Sequence, residues 1–287
     1  MDSFTNVIEC EYFNKKLSHN CLVFLLLLDC QELYFRMIRK WLHKFYVIYV
    51  LATFVGLMLI LLPLLTLPFL FGDKYGGRVA YFFLGVWSFF FSLLVGVRYR
   101  TYGREHLQKG QPYIFTSNHN SFMDVVMSVR EVPGQFRPLA KSDLRNTPIF
   151  GWIYRGATVM VDRTSAESRR KSLKELKAVL TKGISVFVFP EGRMNRTSSL
   201  LTPFYDGAFR IAIETQTPIA PIVILNTGYI MPYFNKDFHP GVITTYFLPP
   251  IETRNMTLAD VPDLKMQVYN QMLAVLEGNV SSHNKVV

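Results

Sequence analysis

From Phe45 to Gly72 the chain carries no charged side chain. After the polar turn Asp73-Lys74-Tyr75-Gly76-Gly77-Arg78, a second uncharged run extends from Val79 to Val97. About 20 apolar residues cross the hydrocarbon core of a bilayer, so both runs have roughly the length of a span. The short turn between them predicts a helical hairpin that either spans the membrane or enters one leaflet. Pro63 and Pro68 are expected to kink the first helix or end it early. A hairpin buried in a soluble core is the alternative, and uncharged runs of this length argue against it. Arg36, Arg39, Lys40 and Lys44 precede the hairpin, and Arg98, Arg100 and Arg104 follow it. By the positive-inside rule both ends then lie on the cytoplasmic side.

Beyond about Tyr99 the pattern changes to short apolar runs alternating with helical periodicity. The runs predict strands at Tyr113–Thr116, Ala157–Val161, Ser185–Phe189, Ile219–Leu225 and Ile243–Leu248, with helices near 121–131, 165–182, 207–215 and 261–277. In the helix from Ser165, Thr164 and Glu167 form a capping box, and Gly183 marks its end. Leu173, Leu176, Val179 and Leu180 share one face, with Arg170, Lys171 and Lys174 mostly away from it. Strands linked by crossover helices imply an α/β fold with a largely parallel sheet flanked by helices, and function at the loops on one sheet edge. The expected organisation is an N-terminal extension over 1–36, a membrane-anchoring hairpin over 37–98, the α/β domain over 99–280 and a polar tail over 281–287. Neither internal repeats nor low-complexity tracts interrupt it.

Composition sharpens this picture. Half of the residues are hydrophobic and 18% are charged, an apolar balance for a soluble protein. The formal charge of +10 calls for an anionic partner surface. Without a basic helix or arm, that surface is expected to be lipid rather than nucleic acid. Cys10, Cys21 and Cys30 all lie before residue 31, and none stands at metal-ligand spacing from a histidine. Neither a disulfide framework nor a zinc site is expected, and the cysteine-free body is compatible with a reducing cytoplasm. The first 36 residues hold three basic and five acidic side chains, unlike the basic remainder. Their apolar run, Cys21 to Leu28, is too short to span and lacks the flanks of a signal peptide. Translation is expected to begin at Met37, with 1–36 an upstream read-in; a native N-terminal peptide containing Cys21 would contradict this.

The chemistry begins at Asn118-His119-Asn120-Ser121-Phe122-Met123-Asp124, between a buried strand and a helix start. If the turn folds Asp124 back onto the imidazole, one ring nitrogen donates to the carboxylate and the other stays unprotonated as a base. Alternatively, Asp124 is a solvated first-turn residue and His119 a capping or core residue. The run Val186-Phe187-Val188-Phe189-Pro190-Glu191-Gly192-Arg193-Met194-Asn195-Arg196 ends a strand abruptly. Glu191 could hold a substrate hydroxyl there, and Arg193 or Arg196 a phosphate, or the turn is merely solvated. In Gly156-Ala157-Thr158-Val159-Met160-Val161-Asp162-Arg163, Arg163 stands just before a helix N-terminus that favours anions. Lys141 is a further cation, either functional or simply solvated. Thr217-Pro218-Ile219-Ala220-Pro221-Ile222 reads mostly as core packing at a sheet edge.

Asn-His-x4-Asp, Val-Asp-Arg, Phe-Pro-Glu-Gly and Pro-Ile-Ala-Pro-Ile, in this order and spacing, resemble the glycerophospholipid acyltransferase family. The bacterial 1-acyl-glycerol-3-phosphate acyltransferases are the most similar members. The resemblance covers roughly Tyr99 to Pro250 and extends to the hairpin. It implies that His119 is the general base for a lipid hydroxyl and that Asp124 fixes and stabilises its imidazolium. It implies that Glu191 and Gly192 bind the acceptor, that Arg163 is the basic residue of the second motif, and that Lys141 matches a lysine near the site in bacterial members. The family pattern continues Pro-Glu-Gly with Thr-Arg, whereas Arg193 and Met194 stand here; either Arg193 or Arg196 then supplies the cation.

The expected reaction moves a fatty acyl group from acyl carrier protein or coenzyme A to the sn-2 hydroxyl of a lysophosphatidic acid acceptor. No metal or organic cofactor is needed, and backbone N–H groups near Gly192 or Ser121 are candidate oxyanion donors. The implied location is a membrane, the bacterial inner membrane by this resemblance, with the site facing the cytoplasm. Alternatives are an acyltransferase for another lysophospholipid or lipid alcohol, a hydrolase in which the same pair activates water, and a non-catalytic lipid-binding membrane module.

Overall fold

A computed structural model describes residues 3–147, 150–162, 165–235 and 237–283. The chain divides into two compact units, Met1–Leu51 and Ala52–Val287. Helix α1 (Ser3–Thr66) supplies the first unit's regular structure, where Arg36 pairs with Glu32 one turn earlier at 2.9 Å. Pro63 lies inside α1 without ending it. The turns that follow, Leu67–Phe71 and Gly72–Gly76, tighten and then widen the helical winding, with Pro68 near the start of the first. Helix α2 (Gly77–Leu94) follows, and Tyr34–Leu94 holds a helix long and apolar enough to cross a membrane.

The rest of the second unit is a seven-stranded sheet with helices on its faces. Its strands are β1 (Val97–Tyr102), β2 (Ile114–Ser117), β3 (Phe136–Lys141), β4 (Val159–Val161), β5 (Ser185–Val188), β6 (Ile219–Leu225) and β7 (Gly241–Phe247). Between them run α3 (Met123–Glu131), α4 (Phe150–Ala157), α5 (Ala166–Thr181), α6 (Gly207–Thr215) and the single turn α7 (Thr227–Ile230), and α8 (Val261–His283) follows the last strand. The spatial order is β1-β7-β6-β2-β5-β3-β4. Among the strands just named, only β6 and β7 pair antiparallel, so the largely parallel sheet expected from the pattern is present. Strand β2 is central, with Ile114 opposite Val186 of β5 and Ile219 of β6. Both β2 and β5 are buried at every position, including Thr116, Ser117 and Ser185, as central strands covered on both faces are. The core between sheet and helices joins Ile114, Val186, Phe209, Ile219, Leu264 and Val268.

Several boundaries depart from the sequence reading. Ala157 ends α4, so β4 starts only at Val159. Ser165 caps α5, its hydroxyl accepting the Ser168 N–H at 3.1 Å; Thr164, the expected cap, lies outside the described residues. Strand β3 carries Pro138 and the buried Arg137, two residues that read against a strand. It tolerates the proline because it changes partner there: Phe136–Pro138 pair with β5 and Leu139–Lys141 with β4. Arg137 is stabilised by the rings of Phe69 and Tyr81, at 5.3 and 5.7 Å, and by Asp73 at 3.7 Å. Helix α8 continues to His283, past the boundary expected at 281, and residues 284–287 lie outside the described residues.

Helix α2 is apolar on both faces, but only one of them is buried. Ala80, Tyr81, Leu84, Trp87, Ser88 and Phe91 are buried at helical spacing, and Ser88 donates to the Val126 carbonyl of α3 at 3.0 Å. Phe54 meets Trp87 and Phe91 edge-on at 5.0 and 5.4 Å. Phe82, Phe89, Phe90 and Leu93 remain exposed on the other side. One face therefore belongs to the sheet domain, and the opposite face is an apolar surface turned outward.

Candidate active site

Parallel strands deliver their C-terminal ends to one edge of the sheet, and the motifs read from the sequence fall there because β2, β3, β4 and β5 all point the same way. Just past β2, the fully buried Asn118 bonds both ways with Ile224 of β6. Its Nδ2 donates to the Ile224 carbonyl and its Oδ1 accepts the Ile224 N–H, each at 2.8 Å. The side chain thus extends the β2–β6 ladder by one rung and fixes where the chain leaves the sheet.

The next residue is His119, and the turn that follows brings Asp124, in the first turn of α3, back onto its ring. Nδ1 and Asp124 Oδ2 are 2.8 Å apart, and Oδ2 also accepts the N–H groups of Asn120 at 2.7 Å and Ser121 at 2.9 Å. An oxygen that accepts two backbone donors presents an acceptor to the imidazole as well. Nδ1 therefore carries the proton and Nε2 the lone pair. Asp124 is fully buried, whereas 13% of the His119 side chain reaches solvent. The aspartate is thus no solvated first-turn residue, and the imidazole has an accessible edge. Phe189 lies flat against that ring, with centroids 3.9 Å apart and planes 12° from parallel.

Glu191 faces inward. Its Oε1 accepts the His119 backbone N–H at 2.9 Å, and its Oε2 accepts the Thr202 N–H and hydroxyl at 2.9 and 2.7 Å. Only 2% of the residue is exposed, so both oxygens serve the chain where the sequence reading had them meet a substrate hydroxyl. The neighbouring Asn195 N–H reaches the His119 carbonyl at 2.7 Å. The loop after β5 therefore clamps the His119 peptide from both sides. Gly192 adopts φ +73°, and a Cβ there would stand 2.7 Å from the Tyr205 ring, so two separate constraints require glycine. Its N–H donates to the Phe189 carbonyl at 3.0 Å, and that of Ser121 is committed to Asp124. The N–H groups of Gly192 and Ser121 themselves are thus engaged within the chain.

The cations differ in placement. Arg193 and Arg196 are exposed on the same loop, and the Arg196 guanidinium lies 3.9 Å from the centroid of Tyr233. Tyr233 in turn stacks with Phe122 of the His119–Asp124 turn at 6.5 Å, while Ser121 Oγ donates to the Met231 carbonyl at 2.8 Å. Lys141, at the C-terminal end of β3, is exposed and paired with Asp143. Arg163 lies outside the described residues. Four contributors escaped the sequence reading as site residues: Asn118, Phe189, Thr202 and Tyr233. The first two stood inside quoted motifs, so adjacency to His119 and Glu191 was their signal. Thr202 and Tyr233 had none, because their contacts are made across loops.

Residues 98–225 match the family model described as Acyltransferase. The chain is 35% identical over 188 residues to 1-acyl-sn-glycerol-3-phosphate acyltransferase alpha of Homo sapiens, covering 63% of this chain and 65% of that one. It is 32% identical over 188 residues to 1-acyl-sn-glycerol-3-phosphate acyltransferase of Saccharomyces cerevisiae, with 64% and 62% covered. It thus spans slightly less than two thirds of the length of these relatives. The crystal structure of the 1-acyl-sn-glycerophosphate (LPA) acyltransferase PlsC from Thermotoga maritima has the same fold. Its TM-score is 0.67 at 20% identity, over 85% of this chain and 97% of that one. The segment that resembles the Acyltransferase family model holds the His119–Asp124 pair, the Glu191 clamp and the sheet edge that presents them.

Proposed function

We propose that this protein transfers a fatty acyl group from an acyl thioester to the sn-2 hydroxyl of 1-acyl-glycerol-3-phosphate, forming phosphatidic acid at a membrane surface. The observation that carries the proposal is the 2.8 Å contact between His119 Nδ1 and the fully buried Asp124, which leaves Nε2 as a base with an accessible edge. The names of the human and yeast relatives support the same substrate class.

In the proposed reaction, Nε2 takes the proton of the acceptor hydroxyl as its oxygen attacks the thioester carbonyl. A carbon–oxygen bond forms, and the carbonyl electron pair moves to oxygen as a tetrahedral oxyanion. When that pair returns, the carbon–sulfur bond breaks, and the leaving thiolate takes the proton back from His119 as a thiol. Asp124 stabilises the imidazolium between the two transfers. Glu191 and Thr202 act as positioning residues through the His119 peptide. Arg193, Arg196, Lys141 and Arg163 are the cations assigned to the acceptor phosphate and to an anionic donor, acyl carrier protein or coenzyme A. The hairpin over 37–98 anchors the catalytic domain, with the site on the cytoplasmic side.

The test is transfer of a labelled acyl group by purified full-length protein across a panel of lysolipids. Preference for lysophosphatidic acid supports the proposal. Preference for an acceptor with a larger headgroup would replace it, a reading favoured by Met194 where the family pattern has arginine. Release of free fatty acid with no lysolipid acylated would mean hydrolysis.

A further inference from the structure

Helices α2 and α3 run antiparallel, with Ser88 bonded to the Val126 carbonyl and Gly85 facing the Val129 carbonyl. Beside this contact lies an open groove of about 630 Å³. Phe82, Val86, Phe89 and Phe90 form its apolar wall, and Arg78 and Arg130 line it as well. The Arg130 guanidinium rests 5.0 Å from the Phe89 centroid. Among the described residues no carboxylate pairs with Arg78 or Arg130. The adjacent Glu131 is already engaged by Arg104 at 3.1 Å and by the Thr101 hydroxyl. Asp124 sits in the first turn of α3 and Arg130 in its last, about 9 Å of helix rise apart, so the groove is separate from the catalytic pair.

We infer that this groove binds one anionic phospholipid of the surrounding bilayer, with its phosphate held by Arg78 and Arg130 and an acyl chain laid along Phe82, Phe89 and Phe90. The charge pattern selects this occupant. Two guanidiniums without carboxylate partners offer planar donors to phosphate oxygens, and the aromatic wall beside them suits a hydrocarbon chain. The exposed face of α2 is continuous with that wall, so a lipid is delivered from the bilayer side. The inference rests on the membrane attachment proposed above. It adds a lipid site that takes no part in chemistry.

Native mass spectrometry of the full-length protein in neutral detergent tests it, with phosphatidylglycerol and phosphatidylcholine as probes. The expected result is one retained phosphatidylglycerol per chain, roughly tenfold over phosphatidylcholine, and a similar loss in the Arg78→Gln/Arg130→Gln double variant. Gly85→Leu is a second probe. A Cβ at Gly85 meets only the Val129 carbonyl, at an ordinary 3.7 Å, and Gly85 lines the groove, so a larger side chain there takes up groove volume without changing charge. It should lose the lipid too. Equal retention of both lipids would overturn the inference, as would variants that hold phosphatidylglycerol like the parent or association of two chains through this face. Neither variant touches the His119 site, so acyl transfer in neutral detergent should be unchanged. A parent protein that binds lipid but transfers no acyl group would refute the functional proposal and leave this one standing.

Discussion

Glu191→Gln separates two roles for the acidic residue of the Phe-Pro-Glu-Gly motif. In the parent, one buried carboxylate accepts three hydrogen bonds: from the His119 N–H at 2.9 Å, and from the Thr202 N–H and hydroxyl at 2.9 and 2.7 Å. Hydrogen bonds to a charged group contribute about 1.5–3 kcal/mol each. Glutamine offers one oxygen and one NH2, so whichever way it turns, a backbone donor faces a donor. One bond is lost and the others weaken, a cost of about 2–4 kcal/mol. In a unit of this size each kcal/mol lowers Tm by about 2–4 °C, giving a fall of about 4–16 °C. Because either loss loosens the clamp on the His119 peptide, kcat should fall while KM for the acceptor changes little. Thr202→Val, which removes only the hydroxyl bond, should do the same on a smaller scale. The assays are thermal unfolding in detergent and steady-state acyl transfer. A Glu191→Gln protein with unchanged Tm and a large rise in KM would refute the clamp and return Glu191 to direct substrate contact.

Asp124→Asn keeps the size of the orienter but offers His119 an amide, which favours the wrong tautomer; kcat should fall by roughly 10³–10⁴ with lysolipid binding retained. Gly192→Ala should lose at least about 1–3 kcal/mol, since it must hold φ near +73° and meet the Tyr205 ring, and chemical denaturation would report it. Asp260, whose carboxylate accepts the Thr257 N–H at 2.6 Å and its hydroxyl at 3.0 Å, is held below its usual 3.8 by those bonds. Its depressed folded value means that this stabilisation is present above the unfolded value and is lost as pH falls through the folded one. Unfolding curves should therefore show Asp260→Asn less stable than the parent at neutral pH, with the gap closing in acid.

The sequence was most readable where one residue type decided the structure. Strand β6 and helix α6 begin and end where the pattern places them, because the unbroken apolar run Ile219–Leu225 and the amphipathic 207–215 leave no competing element. Strand β1 was hidden by its position at the sheet edge: Arg98 and Arg100 are among its exposed positions, and the same arginines read as a basic flank of the hairpin. Strand β3 was hidden by Pro138 and Arg137, which only its change of partner and the aromatic shelter of Phe69 and Tyr81 explain. The direction of Glu191 was equally out of reach, since one of its partners lies 72 residues away and the other on the far side of a loop. Spacing could bring His119 and Asp124 together because they stand five positions apart. It could not show that the carboxylate beside them points into the protein.

The central claim is that His119 is the base for acyl transfer, and single-turnover transfer from a labelled thioester to lysophosphatidic acid by His119→Ala tests it most directly. The account predicts a rate lowered by roughly 10³-fold or more, with Tm and lysolipid binding close to the parent. Transfer within about tenfold of the parent would contradict it, because a loss that small lies below the range of a general base.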